Sequence, residues 1–263
     1  MTAKIAVRGL GHEYINPFTR DRVVALDGVD LEVPEGEFLS IVGPSGCGKS
    51  TLLAILAGLA TPTRGQVLLD GRPVVGPGPD RGVVFQEFAI LPWRTVERNI
   101  AHGLEIQGVP RAQRTATVRR FVELVGLTGF EQKYPHELSG GMKQRVAVAR
   151  TLAANPQVML MDEPFAAVDA QTRITLQEEL NSVAQATRKT ILFVTHNVDE
   201  AVFLGDRCCI LSRRPGRVKT LVDVSIPRAQ RTWKLFTSDP AFDATRQRVL
   251  KLVREEVAGS EPA

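Results

Sequence analysis

The stretch Gly43-Pro44-Ser45-Gly46-Cys47-Gly48-Lys49-Ser50-Thr51 leaves this chain few choices of fold. It fits G-x-x-x-x-G-K-[ST], a loop whose backbone N–H groups close around a polyphosphate. The residues before it, Glu37-Phe38-Leu39-Ser40-Ile41-Val42, form a short apolar run that predicts a buried strand. The residues after it, Leu52-Leu53-Ala54-Ile55-Leu56-Ala57, predict a helix stopped by Gly58. In that order the helix start brings free N–H groups and partial positive charge to the loop. The glycines keep Cβ atoms out of the way, Lys49 reaches the β- and γ-phosphates, and Ser50 offers a hydroxyl to Mg2+.

The rest of the chain suits one nucleotide domain. Its 263 residues bury a sizeable core, and 43% hydrophobic with 24% charged residues is ordinary for a globular protein. No apolar run approaches the roughly 18–20 residues of a membrane span. The start, Met1-Thr2-Ala3-Lys4-Ile5, lacks the apolar core of a signal peptide. These features predict a cytosolic chain whose membrane role runs through a partner. Net charge is +4, and the basic clusters Arg119-Arg120 and Arg213-Arg214 with Arg217 read as solvated surface, so no nucleic-acid partner is expected. Of three cysteines, Cys47 lies in the phosphate loop, and Cys208-Cys209 point to opposite faces of a predicted strand. Neither a disulfide framework nor metal spacing emerges, as in a reducing compartment.

Two β segments, 4–10 and 23–33, open the chain around a polar turn at Asn16-Pro17-Phe18. Val29, Leu31 and Val33 alternate with Asp30 and Glu32, as in a half-buried strand. Strand 65–69 turns at Asp70-Gly71, and strand 82–85 follows. From about 95 to 155 the pattern is helical: Val118, Phe121, Val122 and Val125 share a face before Gly126, and Met142, Val146, Ala149 and Ala153 share another before Asn155-Pro156. Strand 158–161, helix 170–187, strand 190–195, a short helix at 197–204, strands near 207–211 and 217–226 and a helix near 241–257 complete the chain. Alternating strands and helices predict a mainly parallel sheet covered on both faces. We expect a single domain over 4–257, with a helical subdomain at about 90–155 and a flexible tail at 258–263.

Two further motifs carry chemistry. Val158-Met159-Leu160-Met161-Asp162-Glu163 is an apolar strand ending in carboxylates, which brings Asp162 to the Mg2+ side of a nucleotide. If the chain stays extended there, Glu163 projects elsewhere, toward the γ-phosphate and an attacking water. Leu138-Ser139-Gly140-Gly141-Met142-Lys143-Gln144-Arg145 offers a second anion site, with Ser139 capping a helix that begins near Gly141.

That last motif resembles the signature of ATP-binding-cassette (ABC) ATPases, and the resemblance runs from about residue 4 to 257. It implies a P-loop NTPase of α/β class with a β-rich N-terminal subdomain, a mainly parallel core sheet and a helical subdomain. It implies ATP and Mg2+ as ligands, with Gly43 to Thr51 around the phosphates and Ser50, Gln86 and Asp162 at the metal. Glu163 and His196 become the catalytic candidates. Ser139, Gly140 and Gly141 face the nucleotide of a second copy, and Asp169, in Ala167-Val168-Asp169, belongs to the loop that speaks across that homodimer. Tyr14 is our choice for the ring that stacks on adenine, with Phe18 next and core packing open for either.

Leu91-Pro92-Trp93-Arg94-Thr95-Val96, Tyr134-Pro135-His136-Glu137-Leu138, Asp162-Glu163-Pro164-Phe165, Asp169-Ala170-Gln171-Thr172-Arg173 and Pro215-Gly216-Arg217 are similar to importer ATPases of the nitrate, sulfonate and taurine group. Related importers of bicarbonate or pyrimidine precursors share several of these phrases. The resemblance implies transmembrane permease subunits, a periplasmic or lipid-anchored substrate-binding protein and a place on the cytoplasmic face of the membrane. Trp93 would meet the permease, or else pack in the core. Ala166, Val168 and Asn197 depart from the group's usual Gly, Leu and Asp, and none removes a catalytic group. A soluble ABC ATPase acting on nucleic acid or ribosomes is disfavoured: between Lys49 and Leu138 there are no heptads and no cysteine pairs. An exporter ATPase is the other rival.

Overall fold

A computed structural model describes residues 3–166 and 168–258. The tail beyond Ala258 and Ala167 lie outside them. The chain divides into two compact units, one running to Gly78 and resuming at Ala184, the other Pro79–Val183.

In the first unit, β1 (Ala3–Ile15) and β2 (Arg22–Pro34) form a long antiparallel hairpin. β2 exceeds its predicted span by one residue at each end, whereas β1 runs on five residues past its apolar pattern, where Tyr14 and Ile15 are exposed and the strand is held by pairing with β2 and by the Glu13–Arg22 ion pair. Leu31 opposite Val7 and Val29 opposite Leu10 are buried, whereas Asp30 and Glu32 are exposed. β4 (Arg64–Leu69) pairs with β1 and turns through Asp70-Gly71 into the short β5 (Arg72–Pro73), giving the order β2-β1-β4-β5.

The same unit holds β3 (Phe38–Val42), β8 (Thr190–Val194), β9 (Arg207–Leu211) and β10 (Val218–Asp223), side by side in the order β10-β9-β3-β8. β3 runs parallel to both neighbours, and all residues of β3 and β8 are buried. That explains their unbroken apolar runs, since a strand covered on both faces has no polar side to alternate with. Cys208 and Cys209 point to opposite faces of β9 and are both fully buried. α1 (Lys49–Leu56) leaves the phosphate loop, α6 (Val198–Leu204) follows β8, and α8 (Pro240–Ala258) packs on α6. β10 is shorter than predicted, and the sequence pattern missed α7 (Trp233–Ser238), which interlocks through Trp233 and Phe236 with Phe203 and Phe242.

In the second unit β6 (Arg81–Val84) lies parallel to β7 (Val158–Asp162). α2 (Val96–Ile106), α3 (Arg111–Leu124) and α4 (Gly140–Ala153) pack on one another through Ile100, Leu104, Val118, Phe121, Val146 and Ala149. α5 (Ala170–Thr187) buries Leu176, Leu180 and Val183 on the predicted face.

Candidate functional site

The phosphate loop is built by close approach. Gly48 takes φ +103°, and a methyl group there would sit 2.7 Å from Leu26 Cδ2 and 2.8 Å from the Ala25 carbonyl. Only glycine suits both constraints. Gly48 also caps α1 without a side-chain hydrogen bond, and the first turn of α1 holds no acidic residue. The helix start thus keeps its N–H groups and partial positive charge for an anion. Lys49 is nearly buried, and its ammonium arches back over the loop to donate to the carbonyls of Gly43 (2.8 Å) and Pro44 (2.9 Å). A cation held in the mouth of an uncapped helix start fits a polyphosphate. Ser45, Gly46 and Ser50 are exposed, while Cys47 turns its thiol inward, where burial pushes its pKa up.

Tyr14 is brought to this loop. Its hydroxyl lies 3.1 Å from Thr51 Oγ1 in the first turn of α1, and its half-exposed ring meets His12 edge-on. Phe18 is 94% exposed on the Asn16–Asp21 turn and makes no comparable approach. Core packing is excluded for both rings by their exposure.

His196 is exposed in a brace directly after β8. Buried Thr195 donates from its hydroxyl to Glu200 (2.6 Å) and accepts from the Asn197 N–H (3.0 Å), and Asn197 accepts from the N–H groups of Asp199 and Glu200 to cap α6. A neutral amide therefore caps α6. The Thr195–Glu200 pair was invisible to motif reading; a hydroxyl and a carboxylate five residues apart across a cap were its signal.

In the second unit, Asp162 ends β7 and is half-buried. Glu163 is not extended, as expected from sequence, but takes φ +44°. A left-handed residue turns the chain sharply after the strand, so its carboxylate is aimed by a bend and not by strand alternation. Ser139 caps α4 by accepting from Met142 N (3.3 Å), with Gly140 the first helical residue, one earlier than expected. Asp169 accepts from Thr172 N (3.0 Å), which holds its carboxyl below the usual range. A methyl on Gly141 would lie 3.2 Å from Thr172 Cγ2, so the start of α4 rests against the start of α5. Gln86 lies exposed two residues beyond β6, in a loop held by Arg150, which donates to the Ala89 carbonyl (2.8 Å).

Trp93 is 71% exposed, which removes the core-packing reading. Fully buried Asn99 pins its loop by donating to the carbonyls of Leu91, Arg94 and Thr95 and accepting from Leu91 N. The ring lines a groove of about 850 Å³ between α2 and α3, floored by Ala101, Val118 and Val122 and rimmed by Arg98 and Arg114. Among the described residues no helix is long and apolar enough to cross a membrane, and no His, Cys, Asp or Glu group of three could hold a metal.

Residues 26–166 match the family model described as ABC transporter. The chain is 51% identical over 260 residues to an uncharacterised ABC transporter ATP-binding protein of Methanocaldococcus jannaschii, covering 99% of this chain and 95% of the relative. It is 45% identical to the nitrate import ATP-binding protein NrtD of a Synechocystis strain, covering 89% and 90%. It is 43% identical to the bicarbonate transport ATP-binding protein CmpC of Synechococcus elongatus, covering 94% of this chain and 36% of that longer protein. Among solved structures, a dimeric post-hydrolysis state of an ATP-binding cassette bound to ADP and Pi matches with TM-score 0.76 at 30% identity, covering 85% of this chain and all of that one.

Proposed function

This chain belongs to the ABC transporter family as an ATP-hydrolysing, ATP-binding subunit, and we propose that it drives an importer of a small anion such as nitrate, a sulfonate or taurine. The observation that carries the nucleotide chemistry is the phosphate loop, with the uncapped start of α1 beneath Lys49. The importer reading is supported by the nitrate and bicarbonate systems in which relatives at 43–45% identity are named.

In this reading Gly43 to Thr51 cradle the β- and γ-phosphates, Lys49 and His196 hold the γ-phosphate, and Tyr14 stacks on adenine. Ser50, Gln86 and Asp162 offer hydroxyl, amide and carboxylate oxygens, a hard-oxygen set that suits Mg2+, which takes few protein ligands beside phosphates and water. These three residues would hold the ion, whose charge would offset that of the phosphates when bound. Glu163 polarises the attacking water, and Ser139 with Gly140 and Gly141 of a second copy completes the site, Asp169 linking the two copies. This is positioning and electrostatic stabilisation with little covalent work by the protein. The Trp93 groove takes a cytoplasmic segment of the permease, which places the chain on the inner face of the membrane. A substrate-binding protein acts through the permease.

Glu163→Gln tests the chemistry: ATP binding persists, turnover falls by about two orders of magnitude or more, and a dimer accumulates with ATP in size-exclusion chromatography. Hydrolysis at the parent rate would remove Glu163 from the role of base. Reconstitution with permease and binding protein, assayed with nitrate, taurine, alkanesulfonates and bicarbonate, tests the substrate class. Failure of all four to stimulate ATPase activity refutes the small-anion reading and leaves the ATPase assignment standing.

A further inference from the structure

The turn Ser212–Arg217 between β9 and β10 lies against the phosphate loop. Gly216 comes so close to it that an added methyl would overlap the Cys47 carbonyl at 2.1 Å. The same glycine donates to Ala25 O (2.9 Å) and accepts from Asp27 N (3.1 Å), tying the turn to β2. Inside the turn the Ser212 hydroxyl contacts the carbonyls of Arg213 and Pro215 and accepts from Arg217 N. From the other side, Glu256 of α8 accepts from Arg213 N (3.0 Å) and pairs with Lys219. Arg217 pairs with Asp27, which also holds Arg64. The turn is therefore fixed at both ends and braced within.

What this brace presents is Arg214. A methyl built on Gly46, in the exposed middle of the phosphate loop, would lie 3.3 Å from Arg214 Nη2. The guanidinium is exposed, and no ion pair or hydrogen bond engages it among the described residues. The neighbouring charges have other work: Lys49 donates into its own loop, Arg217 pairs with Asp27, and Lys219 pairs with Glu255 and Glu256. A guanidinium offers a planar fork of donors matched to phosphate oxygens and keeps its charge at all physiological pH values.

Resting on the reading of residues 43–51 as the ATP site, we infer that Arg214 is a second cation of that site. It strengthens binding of the nucleotide's polyphosphate from the β9–β10 side and favours the more highly charged nucleotide. It acts by charge on the phosphates and takes no part in bond breaking.

The test is nucleotide binding to the full chain by isothermal titration, in EDTA so that hydrolysis does not intervene. Arg214→Gln weakens ATP about three- to tenfold and ADP less, Arg214→Lys retains most of the affinity, and the Gln deficit shrinks as salt rises from about 0.05 to 0.5 M. Parent affinity in Arg214→Gln overturns the inference. So does an equal, salt-independent loss in the Gln and Lys variants, which would make Arg214 a packing residue. Lys49→Ala separates the two levels of reading: if it binds ATP like the parent, the phosphate loop is not the site. If it loses ATP while Arg214→Gln does not, only the role of Arg214 fails.

Discussion

Arg231 offers a quantitative test of what the C-terminal segment does. Its side chain is about 1% exposed. The guanidinium donates to the carbonyls of Ile226 (2.9 Å), Phe203 (3.3 Å), Leu204 (3.0 Å) and Gly205 (2.8 Å), and to Asp206 Oδ1 (3.2 Å). Three of those carbonyls close the C-terminal end of α6, where a helix leaves orphan acceptors. Arg231→Met keeps the bulk and removes every donor. Hydrogen bonds from a charged donor contribute about 1.5–3 kcal/mol each; the four carbonyls share three N–H groups, one on Nε and two on Nη1, which suggest roughly 4.5–9 kcal/mol. Against this stands the cost of burying the guanidinium, several kcal/mol, which the methionine no longer bears. Burial is also the leading influence that pushes the Arg231 pKa down. Asp206 stays paired with Arg228, which limits the penalty of a stranded carboxylate. The balance is a loss of about 3–5 kcal/mol, a large part of the ~5–15 kcal/mol that holds a domain together. Urea unfolding followed by far-UV circular dichroism measures it. A loss under about 1 kcal/mol would show that the C-terminus of α6 is satisfied without Arg231.

Two further outcomes are expected. Asn197→Ala removes the cap of α6 beside His196 and costs about 1 kcal/mol in thermal or urea unfolding, whereas Asn197→Asp retains it, because aspartate accepts the same N–H groups and suits a helix start. Equal losses in the two variants would refute the capping role. Burial pushes the Cys208 and Cys209 thiols from an ordinary 9.0 up to about 12. The native chain therefore keeps both unreactive toward a disulfide reagent at pH 8, and three thiols titrate only after unfolding. Since the unfolded thiols ionise first, their contribution to stability declines as pH rises above about 9. Rapid loss of all three native thiols at pH 8 would contradict the burial.

How much of this was legible in the sequence follows from which interactions are local. The continuous run Phe38 to Val42 and the alternation from Val29 to Val33 announced a two-faced and a one-faced strand, and burial agrees residue by residue. The α5 boundaries Ala170 and Thr187 were readable because a helix repeats its own pattern for eighteen residues. α7 was not readable: it spans six residues, too few for periodicity, and owes its place to Trp233 and Phe236 meeting Phe203 and Phe242 across the chain. Trp93 carries an apolar residue's prior toward burial, and only Asn99, six residues on, shows that its loop is pinned with the ring outside.

The candidate site follows the same division. Lys49, Ser139 and Asp169 stand in or beside the first turns of α1, α4 and α5, and His196 immediately precedes the cap of α6. Helix starts have short sequence signals, a capping hydroxyl, carboxamide or glycine, so a chemistry that uses their N–H groups writes itself into contiguous residues. Supporting contacts leave no such trace. Gly46 and Arg214 are separated by most of the chain, and neither residue's neighbours hint at the other. The contact depends on Gly216 fitting beneath Cys47 and on Glu256 holding Arg213 N, both long-range. If nucleotide affinity depends on Arg214, then Glu256→Ala must weaken it too, by releasing the turn while leaving every residue of the phosphate loop unchanged. The C-terminal helix would then be a determinant of how the phosphate loop binds, although no motif marks it.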